Sequence, residues 1–205
     1  MNTKSTPLFP RIASIFPAIA ILVALAGCFQ AQPVYQYTLT VDQPLPAPSR
    51  QDAPLTILVG PVKLASHLDQ PRIVRRFGDT RIEAAASRQW AGNLREMIGN
   101  KLVAELSAQC SPFPVLSFPA ATVITRGKRV SVDILRFEGA DDKNAFIEAR
   151  WTLLNLEDKS IVQTQTSLIR IPCGDNSYET LVTALSQGLT QLSQEIVQSI
   201  RMEDR

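Results

Sequence analysis

The chain has 205 residues, with 21 Lys and Arg against 19 Asp and Glu and a single histidine. That length suits about one domain, and so even a charge gives no electrostatic basis for binding nucleic acid or a strongly anionic surface. No internal repeat or low-complexity tract is present, which sets repeat architectures aside.

The first segment, "MNTKSTPLFPR", carries Lys4 and Arg11 and no acid, and the apolar run Ile12 to Ala26 follows it. Basic, then apolar, then small-residue is the layout of a bacterial secretory signal. The alternative, a transmembrane helix, needs about 20 apolar residues, and this run is shorter and interrupted by Pro17. Leu25-Ala26-Gly27-Cys28 matches the lipobox of bacterial lipoproteins, in which the chain is cut before the cysteine and its thiol and new amino group are acylated. Small side chains at Ala26 and Gly27 let the peptidase approach, and only the thiol of Cys28 can take the thioether. One acyl chain holds a protein marginally, whereas two or more anchor it stably. The reading is therefore a removed signal over residues 1–27, an acylated tether over 28–33 and a single domain over 34–203. Phe29, rather than Asp, after the cysteine resembles an outer-membrane address.

Removing residues 1–27 takes away two basic residues and no acid, leaving 178 residues with 19 basic and 19 acidic side chains. The excess of positive charge belongs to the signal. Two cysteines remain, Cys110 and Cys173, in a compartment that oxidises thiols if the chain is exported. A disulfide between them closes a loop of about sixty residues, worth about 4 kcal/mol by chain entropy. The alternative is two separate buried thiols, because proximity of the two Cα atoms is not written in the sequence. Compartment and even count favour the disulfide.

Residues 34–41, "VYQYTLTV", alternate β-branched and aromatic side chains and predict a strand with Tyr35, Tyr37 and Leu39 on one side. Four prolines in "DQPLPAPSRQDAP" then exclude a central strand. The run 55–64, "LTILVGPVKL", predicts a buried strand that Gly60-Pro61 kinks or ends. Ile73 to Arg76 and Thr80 to Ala84 are short strand candidates in an irregular stretch. Trp90, Leu94, Met97, Ile98, Leu102 and Leu106 then fall at helical spacing, with Arg95, Glu96, Asn100, Lys101 and Glu105 around the rest of the wheel. The end of this helix at Cys110 is marked by "SPFP", and "PFPVLSF", residues 112–118, predicts another short strand.

Residues 128–171 predict a three-stranded meander with turns at "GADDKN" and "EDK". In its middle strand Ala145, Ile147, Ala149, Trp151 and Leu153 share the core face. In the first, Leu135 breaks the alternation and indicates a bulge. The third, with Gln163, Thr164, Gln165, Thr166 and Ser167, suits a wet face or an edge. Asn176 or Ser177 caps a final helix with Glu179 in its first turn, and Leu181, Leu185, Leu189, Leu192, Ile196 and Ile200 form its stripe. The sum is an α/β (α+β) two-layer sandwich: a mixed, mainly antiparallel sheet with two long amphipathic helices packed on one face.

The chemistry-bearing residues are sparse. His67 has no second histidine and no spare thiol to join it, so a zinc site is not expected; Asp69, two residues on, could pair with it, yet a surface loop histidine is favoured over a catalytic one. No GxSxG elbow, P-loop or GxGxxG occurs. Asp141-Asp142 and Glu157-Asp158 fall in turns. Arg72, Arg75 and Arg76 form the densest basic cluster, read either as a solvated loop or as a surface for lipid headgroups or an acidic partner. No catalytic residue, metal or cofactor is expected.

The order "YQYTL", "ILVGPVKLASHLDQPRIVRR", "RQWAGNLREMIGNKL", "VSVDILRFEG…AFIEARWTLL" and "YETLVTALSQGLTQLSQEIVQSI", behind the lipobox, resembles the ABC-type transport auxiliary lipoproteins, the paraquat-inducible protein C (PqiC/YmbA-like) family. The resemblance spans about residues 28–203. It implies a non-enzymatic lipoprotein of the outer membrane, anchored through Cys28 and facing the periplasm. Its partner would be a periplasmic MCE-domain protein of an ABC-type lipid transporter, and homo-oligomerisation is left open. The family's recurrent patches map onto Tyr35, Tyr37, Leu39, Gly60, Pro61, Ile73, Arg75, Trp90, Phe137 and Trp151, mostly as fold-defining positions. The cysteine pair departs from that pattern. Two other readings stand beside it: a lipid-binding periplasmic carrier, and a structural or assembly lipoprotein of the envelope.

Overall fold

A computed structural model describes residues 33–40 and 55–203. The signal, Cys28, most of the tether and the proline-rich connection lie outside these residues. The described residues from Val34 onward belong to one compact unit. Its elements in order are β1 (Tyr35–Tyr37), β2 (Thr56–Leu64), β3 (Arg72–Phe77), β4 (Arg81–Trp90), α1 (Leu94–Gln109), β5 (Val115–Ser117), β6 (Gly127–Ala140), β7 (Asn144–Asn155), β8 (Ile161–Pro172) and α2 (Tyr178–Glu203).

The long β6 organises the sheet. It pairs antiparallel with β7 along one edge, from Lys128 against Asn155 to Gly139 against Ala145. Its other edge is shared: β2 lies parallel along its first half, and β3 lies parallel at Arg75 against Gly139 and Arg76 against Ala140. β4 extends the sheet antiparallel to β3, and β1 adds parallel to β4, Tyr37 against Trp90. β5 runs parallel to β2, and β8 runs antiparallel to β7. The meander is the expected one, and its register shifts between Ile134 and Arg136. That bulge at Leu135 lets Ile134 and Phe137, three apart, both point into the core.

Gly60-Pro61 does not end its strand: β2 runs through it with a register shift between Val59 and Val62. At the start of β6, Gly127 has φ +142°, and a Cβ there would fall 1.9 Å from the Thr56 carbonyl oxygen. Only glycine lets β6 begin this close to β2.

Both helices pack on the sheet, α1 over β2 and β5, α2 over β7 and β8, and they touch each other. Between the layers Ile57, Ile98, Leu102, Leu106, Trp151, Leu185, Leu189, Leu192 and Ile196 are all fully buried. Gly188 brings α2 close, because a Cβ there would stand 2.5 Å from Ile147 Cδ1. α1 starts later than the apolar spacing suggested. Asn93 Oδ1 accepts the N–H groups of Arg95 at 2.9 Å and Glu96 at 3.3 Å, which caps the helix there. Trp90 is instead the last residue of β4, and its indole meets Phe137 with centroids 5.9 Å apart. For α2 the cap is Ser177, whose Oγ accepts the Thr180 N–H at 3.1 Å.

Candidate docking and anchoring surfaces

The Arg72–Arg76 cluster lies on strand β3, not in a loop. Arg75 reaches across to α2: Nη2 donates to the carbonyls of Asn176 at 2.8 Å and Ser177 at 3.1 Å, and its guanidinium stacks 4.5 Å from the Tyr178 ring centroid. Arg76 Nε donates at 2.5 Å to Oε1 of Glu138, a carboxylate with no exposed surface. The same oxygen accepts from Arg136 Nε at 3.0 Å, and His67 Nε2 stands 3.6 Å from Oε2. The guanidinium groups of Arg76 and Arg136 thus neutralise Glu138, as a buried charge requires. Arg75 and Arg76 are committed within the domain, and only Arg72 of the three is exposed.

No disulfide joins Cys110 and Cys173. Cys110 follows the last turn of α1 and Cys173 follows the end of β8, each buried in its own surroundings. Burial pushes the Cys173 thiol above its ordinary range. The expectation from compartment and count is corrected, because neither carries information on where the two ends of the core meet.

Sequence reasoning missed a second buried charge cluster. Lys101 and Glu105, assigned to the polar side of α1, are 1% and 2% exposed and pair at 2.5 Å. Thr190 of α2 donates its hydroxyl to the same Glu105 oxygen at 2.9 Å. A signal existed: Leu94, Ile98, Lys101 and Glu105 follow a 4-3-4 spacing that places the charged pair beside the stripe, where a second helix covers it.

Two edges of the sheet differ in character. At one end, β1 is clasped: Tyr37 donates its hydroxyl to Glu179 at 2.7 Å, which lowers the carboxyl below its ordinary range while burial and that carboxylate raise the phenol. At the other, β8 pairs only with β7 among the described residues and offers a twelve-residue edge. Its core-facing side is satisfied, with Trp151 Nε1 donating to Ser167 Oγ at 3.0 Å and Ser167 donating to Glu195. Its outer side exposes Thr164, Thr166 and Leu168, the last 76% exposed. Among the described residues no group of carboxylates, histidines and thiols is placed to hold a metal, and no helix is long and apolar enough to cross a membrane.

The described residues thus form a two-layer sheet-and-helix domain with one long exposed edge strand. The model of the ABC-type transport auxiliary lipoprotein component family matches residues 37–197, and the chain belongs to that family. Among solved structures, an uncharacterized protein is 21% identical with a TM-score of 0.70, covering 82% of this chain and 99% of its own. A protein of Xanthomonas campestris assigned to the DUF330 family is 21% identical with a TM-score of 0.65, covering 83% and 99%. At this identity these two establish the likeness of fold. The search of curated proteins found no match.

Proposed function

We propose that this auxiliary lipoprotein acts without catalysis, held in the outer membrane by acyl chains on Cys28, and docks a periplasmic MCE-domain protein of an ABC-type lipid transporter. Membership of the transport-auxiliary family supports the transport setting. The observation that carries the docking role is the unpaired edge of β8, long enough to accept a strand from another chain. Residues 72–76 leave the docking proposal, since two of their three arginines are engaged inside the domain. The packed layer between sheet and helices favours docking over carriage of an apolar molecule there.

The test is cross-linking of the full-length lipoprotein in its native envelope, followed by capture and mass spectrometry of bound proteins and lipids. An MCE-type protein is expected with the native chain and lost with Cys28→Ala. Thr166→Lys with Leu168→Lys, both on exposed positions, should keep the circular dichroism of the domain and lose the partner, because charges on an edge strand block pairing. Recovery of only other envelope proteins would sink the transport role, and undiminished capture by the double lysine variant would remove β8 from it.

A further inference from the structure

Charge is unevenly distributed along this electrically neutral mature chain. Residues 72–90, which form β3, β4 and their turn, hold five arginines and two acids, Asp79 and Glu83, whereas the rest of residues 28–205 holds 14 basic and 17 acidic side chains. Arg75 and Arg76 are engaged, and Arg81 pairs with Glu83 at 3.1 Å on an exposed surface. Arg72 is exposed and forms no ion pair with a described carboxylate, whereas Arg88 is half-buried, donates to Ser87 Oγ at 2.8 Å and helps to lower the Glu179 carboxyl.

The tether enters the domain at this same place. Val34 and Tyr35 are 54% and 48% exposed, and β1 lies against β4 with Tyr35 opposite Arg88. The Arg88 guanidinium covers the Tyr35 ring at 4.1 Å, a pairing of aromatic and cation that suits the boundary between headgroups and water. Ile82, on the adjoining hairpin, is another exposed apolar side chain. Six peptide steps separate Cys28 from Val34, a reach of about 20 Å at full extension. A bilayer holding Cys28 is therefore within about 20 Å of this arginine-rich edge.

We infer that the β1–β4–β3 end of the sheet, through Tyr35, Arg72, Arg81, Ile82 and Arg88, rests against anionic phospholipid headgroups and forms a second, electrostatic contact with the membrane that holds the anchor. The inference rests on the acylation of Cys28 proposed above. It fixes the orientation of the domain: β1 faces the bilayer, and β8, at the opposite end of the strand order, is presented away from it. Acyl chains alone leave a domain free to tumble on its tether, and a cationic rim removes that freedom within the Debye length, about 8 Å at physiological salt.

The experiment uses the full mature lipoprotein, its acylation verified by intact mass, in vesicles of phosphatidylethanolamine with phosphatidylglycerol and in vesicles of phosphatidylcholine. A photo-reactive phenylalanine analogue replaces Ile82 or, as the control, Leu168. Phospholipid adducts are expected at position 82 in the anionic vesicles, with loss of most of them in phosphatidylcholine, in 1 M salt (a Debye length of about 3 Å) and in the Arg72→Glu, Arg81→Glu variant. Few are expected at position 168. Equal lipid adducts at both positions, or indifference to lipid charge and to the arginine variant, would overturn the orientation while leaving the anchor intact. Protein–protein adducts at position 82 that rise with protein density would assign this edge to a second copy instead. A mature chain without the acyl mass would overturn the anchor and this contact together.

Discussion

Lys101 and Glu105 are held away from water on a helix whose neighbouring turns are leucine and isoleucine. Desolvating two charges offsets most of what their attraction contributes, so the pair matters chiefly when one member is lost. Glu105→Ala leaves the Lys101 ammonium buried without its carboxylate partner, and a destabilisation of about 3–5 kcal/mol is expected from urea unfolding. Lys101→Met with Glu105→Leu should be neutral or stabilising by about 1–4 kcal/mol in the same assay. If the single and double variants lost equal stability, the charges would not be coupled. The i,i+4 pair was visible in the sequence, but its burial was not, because wheel position alone does not say that a second helix will cover that flank. The same blindness hid Glu138, an outward residue of β6 that becomes inaccessible only when Arg76, Arg136 and His67 close over it.

At the level of elements, the start of α2 carries a pH dependence. Asp175 Oδ1 accepts the Thr180 hydroxyl at 2.6 Å and the Ser177 N–H at 2.8 Å. Thr180 first, and then Ser177, bring its carboxyl from an ordinary 3.8 down to about 2. A carboxyl lowered in the folded state stabilises above its unfolded value and loses that contribution as pH falls through the folded one. The first turn of α2 should therefore loosen between about pH 4 and about pH 2, seen as faster amide exchange at Thr180 and Leu181, and Asp175→Asn should flatten that acid limb. An unchanged limb in the variant would show that another group governs it. Elements with strong periodicity were legible: the meander, its bulge at Leu135, and the stripe of α2 all follow from alternation or helical spacing. The boundaries were less so. Trp90 fits the apolar spacing of α1 as well as the end of β4, and the cap at Asn93 decides between them. The parallel pairing of β2 with β6, across about seventy residues of chain, leaves no local trace, since two buried strands read alike whichever neighbour they choose.

For the molecule as a whole, the first and last elements depend on each other. Thr40 N–H donates to Ser186 Oγ at 3.2 Å, Tyr37 binds Glu179, and Arg75 holds the approach to α2. Leu181, Leu185, Leu189, Leu192, Ile196 and Ile200 are each 2% exposed or less. At about 1.5–3 kcal/mol per buried aliphatic side chain, their loss approaches or exceeds the 5–15 kcal/mol that stabilises a domain. A chain ending at Ser177 should therefore fail to fold, read as a collapsed proton–nitrogen spectrum and rapid proteolysis; a dispersed spectrum would mean that the sheet and α1 suffice. What the sequence says of site location is narrower: the proposed anchor at Cys28 rests on a local motif outside the described residues, whereas the open edge of β8 is a property of the assembled sheet.

The short first strand also sits on the line between the proposed anchor and the proposed partner. Any pull between a lipid anchor at Cys28 and a partner held at β8 enters the domain through β1, three residues long and paired to β4 alone among the described strands. Were β1 to peel away under tension, breaking the Tyr37–Glu179 and Thr40–Ser186 contacts and withdrawing Leu39 from the core, the 28 peptide steps from Cys28 to Thr56 would give the anchor a span of roughly 90 Å. On the proposed anchor and partner, a short first strand would act as a strain-relief catch on the leash, lengthening it before the rest of the sheet is put under stress.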